Sequence, residues 1–126
     1  MADAAYLVDD GLAAIVGELV TLSKYKYVGW GTGATGAAVD DSALQTAAAP
    51  TTATAATGTP TAVTDTTYQV VGSIEAGGDL AITEVAIFSQ ATISGAVCFF
   101  HGTFSAINVT SGDSIEFTLQ SVFNQA

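Results

Sequence analysis

Three kinds of residue in this sequence are candidates for chemistry, and the first is a glycine motif. Gly31-x-Gly33-x-x-Gly36 follows a predicted strand and matches the dinucleotide-binding fingerprint in its letters. In that fingerprint the glycines let a long helix point its N-terminus at a pyrophosphate, and an acidic residue follows about 20 residues later. Here the acidic pair at residues 40–41 comes too early, and a Thr/Ala-rich tract replaces the long helix. The motif therefore indicates a flexible glycine loop, and we expect no cofactor.

The second kind comprises His101 and Cys98, the single histidine and the single cysteine of the chain. A metal site needs several converging His, Cys or carboxylate ligands, and one pair is too few. Strand alternation also predicts that these two side chains lie on opposite faces. No motif ties His101 to one of the many Ser or Thr residues as a nucleophile would require. We expect a structural or surface histidine and a buried, unreactive cysteine.

Carboxylates are the third kind. The acidic pairs at residues 9–10 and 40–41 lack the alternating oxygen ligands of a calcium loop. Glu75, Glu84 and Glu116 lie on predicted strands, and two carboxylates across a cleft can hydrolyse a sugar. Nothing in the sequence brings two of them together, so we expect solvated charges on strand faces. The chain is predicted not to be an enzyme, with a small carbohydrate-active domain as the alternative from that class.

The charge balance excludes some partners and favours others. Two Lys plus Arg stand against 12 Asp plus Glu, which gives a formal net charge of −10. Nucleic acids and anionic membranes both recruit basic residues, so we expect neither as a partner. Charged residues make up only 11% of the chain, where about 25% is typical. The surface must then hold wide areas of small, weakly polar side chains, which predicts a homo-oligomer, with a soluble monomer as the alternative.

The apolar spacing of residues 3–23 predicts an amphipathic helix. Its apolar stripe contains Leu7, Leu12, Ile15, Leu19 and Leu22. Gly11 and Gly17 each weaken such a helix by about 1 kcal/mol relative to alanine, so it needs a packing partner. We therefore assign residues 1–24 to an N-terminal helical segment.

Residues 25–126 are predicted to form one β-sandwich domain. Alternating apolar residues predict strands at residues 25–30, 67–75, 80–89, 96–104 and 114–123. Gly/Asp turns separate these strands at intervals of about 8–12 residues, which is typical of an antiparallel sandwich or barrel. The fold class expected is mainly β, a jelly-roll-like antiparallel β-sandwich with an N-terminal helix.

Two stretches between these strands have weaker patterns. The acidic and Ser residues at 40–42 favour a cap for one or two helical turns over residues 43–49, which Pro50 would end. Residues 51–67 are almost entirely Thr and Ala. Alternating β-branched threonine predicts two short, exposed edge strands here, with a turn at residues 58–60.

Five ordered stretches resemble those of a known family. They are YVGWGTG at 27–33, YQVVGSI at 68–74, ITEVAIF at 82–88, FSAINV at 104–109 and GDSIEFT at 112–118. In this order and spacing they resemble small structural proteins of tailed phages, described as tail-fibre-like or head-decoration proteins. The likeness runs from about Tyr25 to Phe123 and so covers most of the chain.

The resemblance implies a virion component without catalytic residues. The expected function is that of a capsid decoration or cement protein, a β-rich trimer that binds the major capsid protein on the exterior of the head and stabilises it. The alternative is a tail or tail-fibre component that binds a neighbouring virion protein or a host glycan. Exposed aromatic side chains would favour glycan binding, but we expect Trp30 to lie in the core.

The N-terminal helix is the predicted docking segment. Its candidate interaction residues are Tyr6, Leu7, Leu12, Ile15 and Leu19. If the helix is a docking arm, deleting residues 1–23 should weaken attachment more than it unfolds the sandwich.

Overall fold

The computed structural model describes residues 7–48 and 54–123. Helix α1 (Asp9–Leu22) comes first, and 49% of the described residues lie in strands or isolated bridges. The strands are β1 (Tyr27–Gly31), β2 (Ala56–Thr57), β3 (Thr59–Thr64), β4 (Thr67–Glu75), β5 (Leu80–Phe88), β6 (Cys98–Val109) and β7 (Ser114–Val122). The prediction of a mainly β chain with an N-terminal helix is confirmed.

The strands form two antiparallel sheets. The first has the strand order β2-β1-β5-β6, and the second has the order β3-β4-β7. Buried side chains from both sheets belong to one apolar cluster, as in a sandwich. A jelly roll has eight strands, and the described part of the chain forms seven. The likeness to a jelly roll therefore does not extend to the number of strands.

Alternate residues of the strands fill the space between the sheets. Val28 and Trp30 of β1 share a buried cluster with Tyr68 and Val70 of β4. The Trp30 ring lies edge-on to Phe117 of β7, with 6.5 Å between the ring centroids. Trp30 has no exposed surface, so its predicted place in the core is confirmed.

A shift in register changes which side chains of β5 face the core. The pairing of β5 with β6 is irregular between Ile82 and Glu84. Ile82 and Val85 consequently both belong to the cluster between the sheets. Phe88 belongs to a second cluster on the outer side of the four-stranded sheet. Strict alternation, on which the sequence analysis relied, would have placed Ile82, Glu84 and Phe88 on a single face.

The two sides of the sandwich are built differently. Only Gly58 separates β2 from β3, so one continuous segment forms the edge of both sheets. A Cβ atom at Gly58 would lie 2.7 Å from the Val70 side chain, which explains why glycine stands where the chain crosses between sheets. The two edge strands predicted within residues 51–67 are thus confirmed as β2 and β3, although Thr59 and Pro60 belong to β3 and not to a turn. Residues 51–53 lie outside the described residues. On the opposite side, β6 and β7 are the outermost strands.

Helix α1 packs against β3 and β4. Leu12 and Val16 are its buried residues, and Val16 belongs to the main core cluster. The helix ends at Ser23, whose positive φ of 53° is the left-handed conformation common at helix C-termini. The helix predicted over residues 3–23 is confirmed from Asp9 to Leu22, and residues 3–6 lie outside the described part.

The predicted helical turns over residues 43–49 are wrong for the described residues 43–48, which form bends, an isolated bridge and no helix. The backbone N–H groups of Gln45 and Thr46 donate to a side chain on β5. Since those donors are engaged elsewhere, they do not start a helix. Residue 49 lies outside the described residues.

Candidate functional site

Residues 32–46, named here the cover loop, lie over the outer face of the four-stranded sheet. Leu44 packs there in a buried cluster with Ala86 and Phe88 of β5. The two ends of the loop meet where the N–H of Thr32 donates to the carbonyl of Thr46 at 2.9 Å. The loop therefore forms a closed flap over β5, and polar groups beneath it are shielded from water.

Glu84 of β5 is the main polar group under the cover loop. Its side chain has no exposed surface. One carboxylate oxygen, Oε2, accepts hydrogen bonds from the N–H of Gly33 at 2.8 Å and of Thr46 at 2.9 Å. The other, Oε1, accepts one from the N–H of Gln45 at 2.8 Å. Both ends of the loop are thereby attached to one buried carboxylate.

His101 of β6 adds a second layer to this arrangement. Its Nε2 lies 2.8 Å from Oε1 of Glu84, and its Nδ1 lies 2.6 Å from Oδ2 of Asp41 in the cover loop. The His101 side chain is 4% exposed and that of Asp41 is 23% exposed. Asp41, His101 and Glu84 thus form a chain from the loop to the sheet, named here the carboxylate–imidazole cluster.

The hydrogen bonds of the cluster decide its charge states. Burial alone would raise the pKa of Glu84, yet the N–H donors of the cover loop and the imidazole hold it below its ordinary value. Burial alone would lower the pKa of His101, but its bonds to Asp41 and Glu84 raise it. The N–H of Ala38 and the imidazole lower the pKa of Asp41. The favoured state is an imidazolium between two carboxylates.

Two glycines of the Gly31-x-Gly33-x-x-Gly36 motif make room for Glu84. A Cβ atom on Gly31 or Gly33 would lie 2.5 Å from Oε2 of Glu84, well inside van der Waals contact. A Cβ atom on Gly36 would meet nothing within 4 Å. The prediction of a flexible glycine loop is not confirmed, since Gly31 ends β1 and the N–H of Gly33 donates to Glu84. The first two glycines of the motif admit a carboxylate of the same chain.

The cluster is poorly arranged for proton transfer or metal binding. Both ring nitrogens of His101 lie against carboxylates, so neither is free to act as a base toward a substrate. Across the described ranges, no group of three His, Cys, Asp or Glu residues could hold a metal ion. The arrangement suits a clamp that holds the cover loop on the sheet.

Cys98 lines a cleft of about 510 Å³ beside the cluster, together with Phe100, His101 and Val39. The prediction that Cys98 and His101 lie on opposite faces is wrong, because the irregular pairing at Ile87 and Phe88 interrupts the alternation. Burial raises the pKa of the Cys98 thiol, which lies 3.5 Å from the carbonyl of Phe100. A protonated, hydrogen-bonded thiol is not an activated nucleophile.

The three glutamates considered in the sequence have different surroundings. Glu75 and Glu116 are exposed on the three-stranded sheet, as solvated strand-face charges should be. Glu84 is fully buried, so that expectation is wrong for it. The pairing of Glu84 with His101 and with the glycine motif was not predicted from the sequence. A signal was present, since Glu84 is the one charged residue in the apolar strand ITEVAIF.

The predicted interaction residues of the helix separate into two groups. Leu7 and Ile15 are exposed, and Leu19 is half-buried beside a groove of about 400 Å³. Leu12 is 6% exposed because it faces the sheet, so its side chain is not available to a partner. Tyr6 lies outside the described residues. Leu22, which was not among the predicted interaction residues, is 60% exposed beside Ile15 in the same groove.

In comparisons with known proteins, no family model, curated protein or solved structure matched the chain. Within the described residues, no helix has the length and apolar character needed to span a membrane. The surfaces and charges of the chain are therefore the basis for a functional proposal.

Proposed function

We propose that this chain is a non-enzymatic structural protein of a tailed-phage virion, a decoration protein on the outer surface of the capsid. It binds the major capsid protein as a homotrimer and stabilises the head. The likeness of its sequence stretches to phage structural proteins supports this proposal, as does the compact sandwich. The observation that carries it is an apolar face of α1 that the sandwich leaves in solvent.

Helix α1 has apolar side chains on two faces. Leu12 and Val16 are buried and hold the helix on the sandwich. Ile15 and Leu22 are 41% and 60% exposed, and Leu19 lies between them in the wall of the groove. Because the inner face fixes the helix, the outer face is already ordered before a partner binds, which reduces the entropy cost of docking. Such a face suits a protein groove or helix as partner.

Charge around this face favours a particular partner. Asp9 and Asp10 lie in the first turn of α1, and Glu18 borders the groove. Acidic side chains on the same helix as an apolar groove complement a protein surface with basic residues beside its apolar patch, since opposite charges steer the encounter. The net charge of −10 opposes contact with packaged DNA, so an exterior position on the shell is consistent with it.

Weak individual contacts are sufficient for this role. An interface of about 1,000 Å² contributes a gross term on the order of 25 kcal/mol at about 25 cal/mol/Å², before association and ordering costs remove most of it. Repetition over a shell multiplies the remaining free energy, because each oligomer is held at several points. Stabilisation of the head would then be an avidity effect.

The tail alternative is less well supported where it requires glycan binding. Trp30 and Tyr68 are fully buried, and the Tyr25 ring stacks on Phe99 with 4.9 Å between centroids. The rings of Trp30 and Tyr68 are therefore not free for sugar stacking, and one face of the Tyr25 ring is covered by Phe99. If the chain is a tail component that contacts only other proteins, labelling of phage particles distinguishes it from a decoration protein on the head.

Immunolabelling of purified phage particles with an antibody to this chain tests the location. Signal distributed over the head is the expected result. Signal confined to the tail would replace the decoration role with the tail alternative. Intact particles without signal would refute a place on the virion exterior.

A charge-matched pair of variants tests the docking face. Ile15→Glu with Leu22→Glu places two carboxylates in the apolar groove, whereas Val39→Glu with Val63→Glu adds the same charge at exposed sites outside α1. Occupancy on heads should fall about tenfold or more for the first variant, which corresponds to 1.4 kcal/mol. The second variant should bind as the unmodified protein does. Equal occupancy for both would mean that α1 is not the docking face.

A further inference from the structure

The sandwich is closed on one side and open on the other. On the closed side, the segment from Ala56 to Thr64 passes from β2 to β3 through Gly58 and so joins the edges of both sheets. On the open side, β6 ends the four-stranded sheet and β7 ends the three-stranded sheet. Among the described residues, no strand pairs with the outer edge of either. Two rows of backbone donors and acceptors therefore lie on the same side of the molecule.

These two edges have little of the charge and none of the proline that usually prevent an edge strand from pairing with another chain. Strand β6 has twelve residues and no Asp, Glu, Lys, Arg or Pro, and the nine residues of β7 contain one charge, Glu116. Edge strands are normally blocked by charge, proline or bulges. Bulges interrupt the pairing of β6 with β5, whereas β7 keeps one unbroken register with β4. The β7 edge is thus a regular template, and β6 is an uncharged strand of greater length.

Aromatic side chains at the open side are incompletely covered. Phe99 and Phe104 of β6 and Phe123 beyond β7 are half-buried and pack against the core cluster. Phe104 lies 6.1 Å from Phe117, measured between ring centroids. Ile107 of β6 is 43% exposed. A chain that paired with the edges would remove this apolar surface from water, so backbone pairing and burial act together.

We propose that β6 of one copy pairs with β7 of a second copy of this chain. Copies that each carry a charge of −10 repel one another least along strands that are almost free of charge. When the open sides of two copies face each other, pairing β6 of one copy with β6 of the other would also place their two β7 strands side by side. The Glu116 carboxylates of the two copies would then lie on adjoining strands. Pairing β6 with β7 avoids that like-charge contact. A closed ring of two or of three copies would leave no free edge on this side, and we take the ring of three because it matches the trimer proposed above.

This inference deepens the trimer part of the proposed function and does not depend on capsid binding. Light scattering on the purified chain should give about three times the monomer mass of 12.6 kDa. Ser105→Glu with Ile107→Glu on β6 should raise the dissociation constant about tenfold or more, because both copies then carry charge at the paired edge. Thr61→Glu with Val63→Glu makes the matched change on β3 of the closed side and should leave the mass unchanged. Circular dichroism establishes that both variants keep their β structure.

Cross-linking identifies which edges meet. In a Cys98→Ser background, one variant carries Ser105→Cys on β6 and another carries Thr118→Cys on β7. A short bis-maleimide should join the two variants when they are mixed, and should join neither to itself at a comparable yield. A monomeric unmodified protein, an oligomer that survives the β6 substitutions, or cross-links of Ser105→Cys with itself would each overturn the proposal. None of these results would bear on binding through α1, which the groove variants test separately.

Discussion

Glu84 is the residue on which the cover loop depends. It accepts hydrogen bonds from three backbone N–H groups of the loop and lies 2.8 Å from the imidazole of His101. An ionised acceptor suits this place because every group around it is a donor. Removing one partner of a buried ion pair destabilises the fold by more than the intact pair stabilises it, since the remaining charge stays buried without compensation. Substitutions at Glu84 should therefore be severe.

Replacing Glu84 by Gln tests this dependence. The amide NH₂ group would face a backbone donor where Glu84 presents an oxygen, so at least one hydrogen bond is lost. The free energy of unfolding should fall by about 2–4 kcal/mol in urea denaturation. Glu75→Gln makes the same change on an exposed strand position and should stay within about 0.5 kcal/mol of the unmodified protein. Similar small effects for both variants would show that the cluster contributes little to stability.

The charge states of the cluster predict how stability changes with pH. The pKa of His101 is raised above its ordinary 6.5, so its contribution is complete below pH 6.5 and is lost as pH rises through the folded-state pKa. The pKa of Glu84 is lowered below its ordinary 4.5, so its contribution is complete above pH 4.5 and is lost as pH falls through its folded-state pKa. The free energy of unfolding should therefore be highest between these two values.

Urea denaturation from pH 4 to pH 9 measures this profile. The unmodified protein should lose stability above pH 6.5, and His101→Gln should remove most of that decline because glutamine does not titrate. Because His101→Gln is expected to be less stable at every pH, the comparison concerns how the free energy of unfolding of each protein changes with pH and not its absolute value. The same alkaline decline in both proteins would assign it to the general repulsion among the acidic residues.

At the scale of elements, the glycine motif and the cover loop act as one unit. Gly31 and Gly33 lie against Glu84, and the carbonyl of Gly33 accepts a hydrogen bond from Thr83 on β5. The third glycine, Gly36, has open space around its Cα. The motif therefore contains its own control position.

Alanine substitutions distinguish the three glycines. Gly31→Ala and Gly33→Ala should each lower the free energy of unfolding by about 1–3 kcal/mol. A methyl group there would collide with the Glu84 carboxylate and also with the Thr46 carbonyl at Gly31 or the Gln45 side chain at Gly33. Gly36→Ala should be neutral or stabilising by up to about 1 kcal/mol, since alanine restricts the unfolded chain. Thermal denaturation measures both effects, and limited proteolysis within the cover loop should be faster only for the first two. Equal behaviour at all three positions would contradict the proposed role of the loop.

The strands were predictable from sequence because their pattern is local. The predicted β4 has the observed ends Thr67 and Glu75, and β5 and β7 each differ from their predictions by a single residue. The prediction for residues 96–104 is wrong at both ends, because β6 runs from Cys98 to Val109. The burial of Trp30 followed from its place beside a strand end. Alternation could not foresee the bulge after Ile82 or the loop that covers Glu84, because both depend on contacts between distant segments. The carboxylate–imidazole cluster could not be predicted from the sequence for that reason.

The helix shows the same limit. Its 3.6-residue periodicity identified the apolar residues but not which of them face the sheet. Val16 joins the sandwich core while Ile15, its neighbour in sequence, is exposed. The segment is therefore both a part of the core and a candidate docking surface, and its deletion would expose apolar residues of β3 and β4. Point substitutions on the outer face separate these roles better than truncation.

For the whole molecule, the dominant feature is a strong negative charge with little to balance it. The net charge of −10 arises from 12 acidic residues and 2 basic ones. Most of the described acids are exposed, so their mutual repulsion passes through water and is screened by salt. Glu84 and His101 of the carboxylate–imidazole cluster are buried, so their attraction is screened much less. Added salt should consequently weaken the repulsion among the exposed acids while leaving the carboxylate–imidazole cluster largely intact.

Salt should therefore stabilise this protein. Screening lengths shrink from about 30 Å at 0.01 M to about 8 Å at 0.15 M ionic strength, so the midpoint of urea denaturation should rise over that interval. Glu75→Gln with Glu116→Gln removes two exposed acids from the three-stranded sheet and changes the net charge from −10 to −8. That variant should be more stable at low salt and should respond less to added salt. A midpoint that falls with salt would instead mean that attractive ion pairs dominate the electrostatics of the folded chain, and the distribution of charge over the whole molecule would need a different explanation.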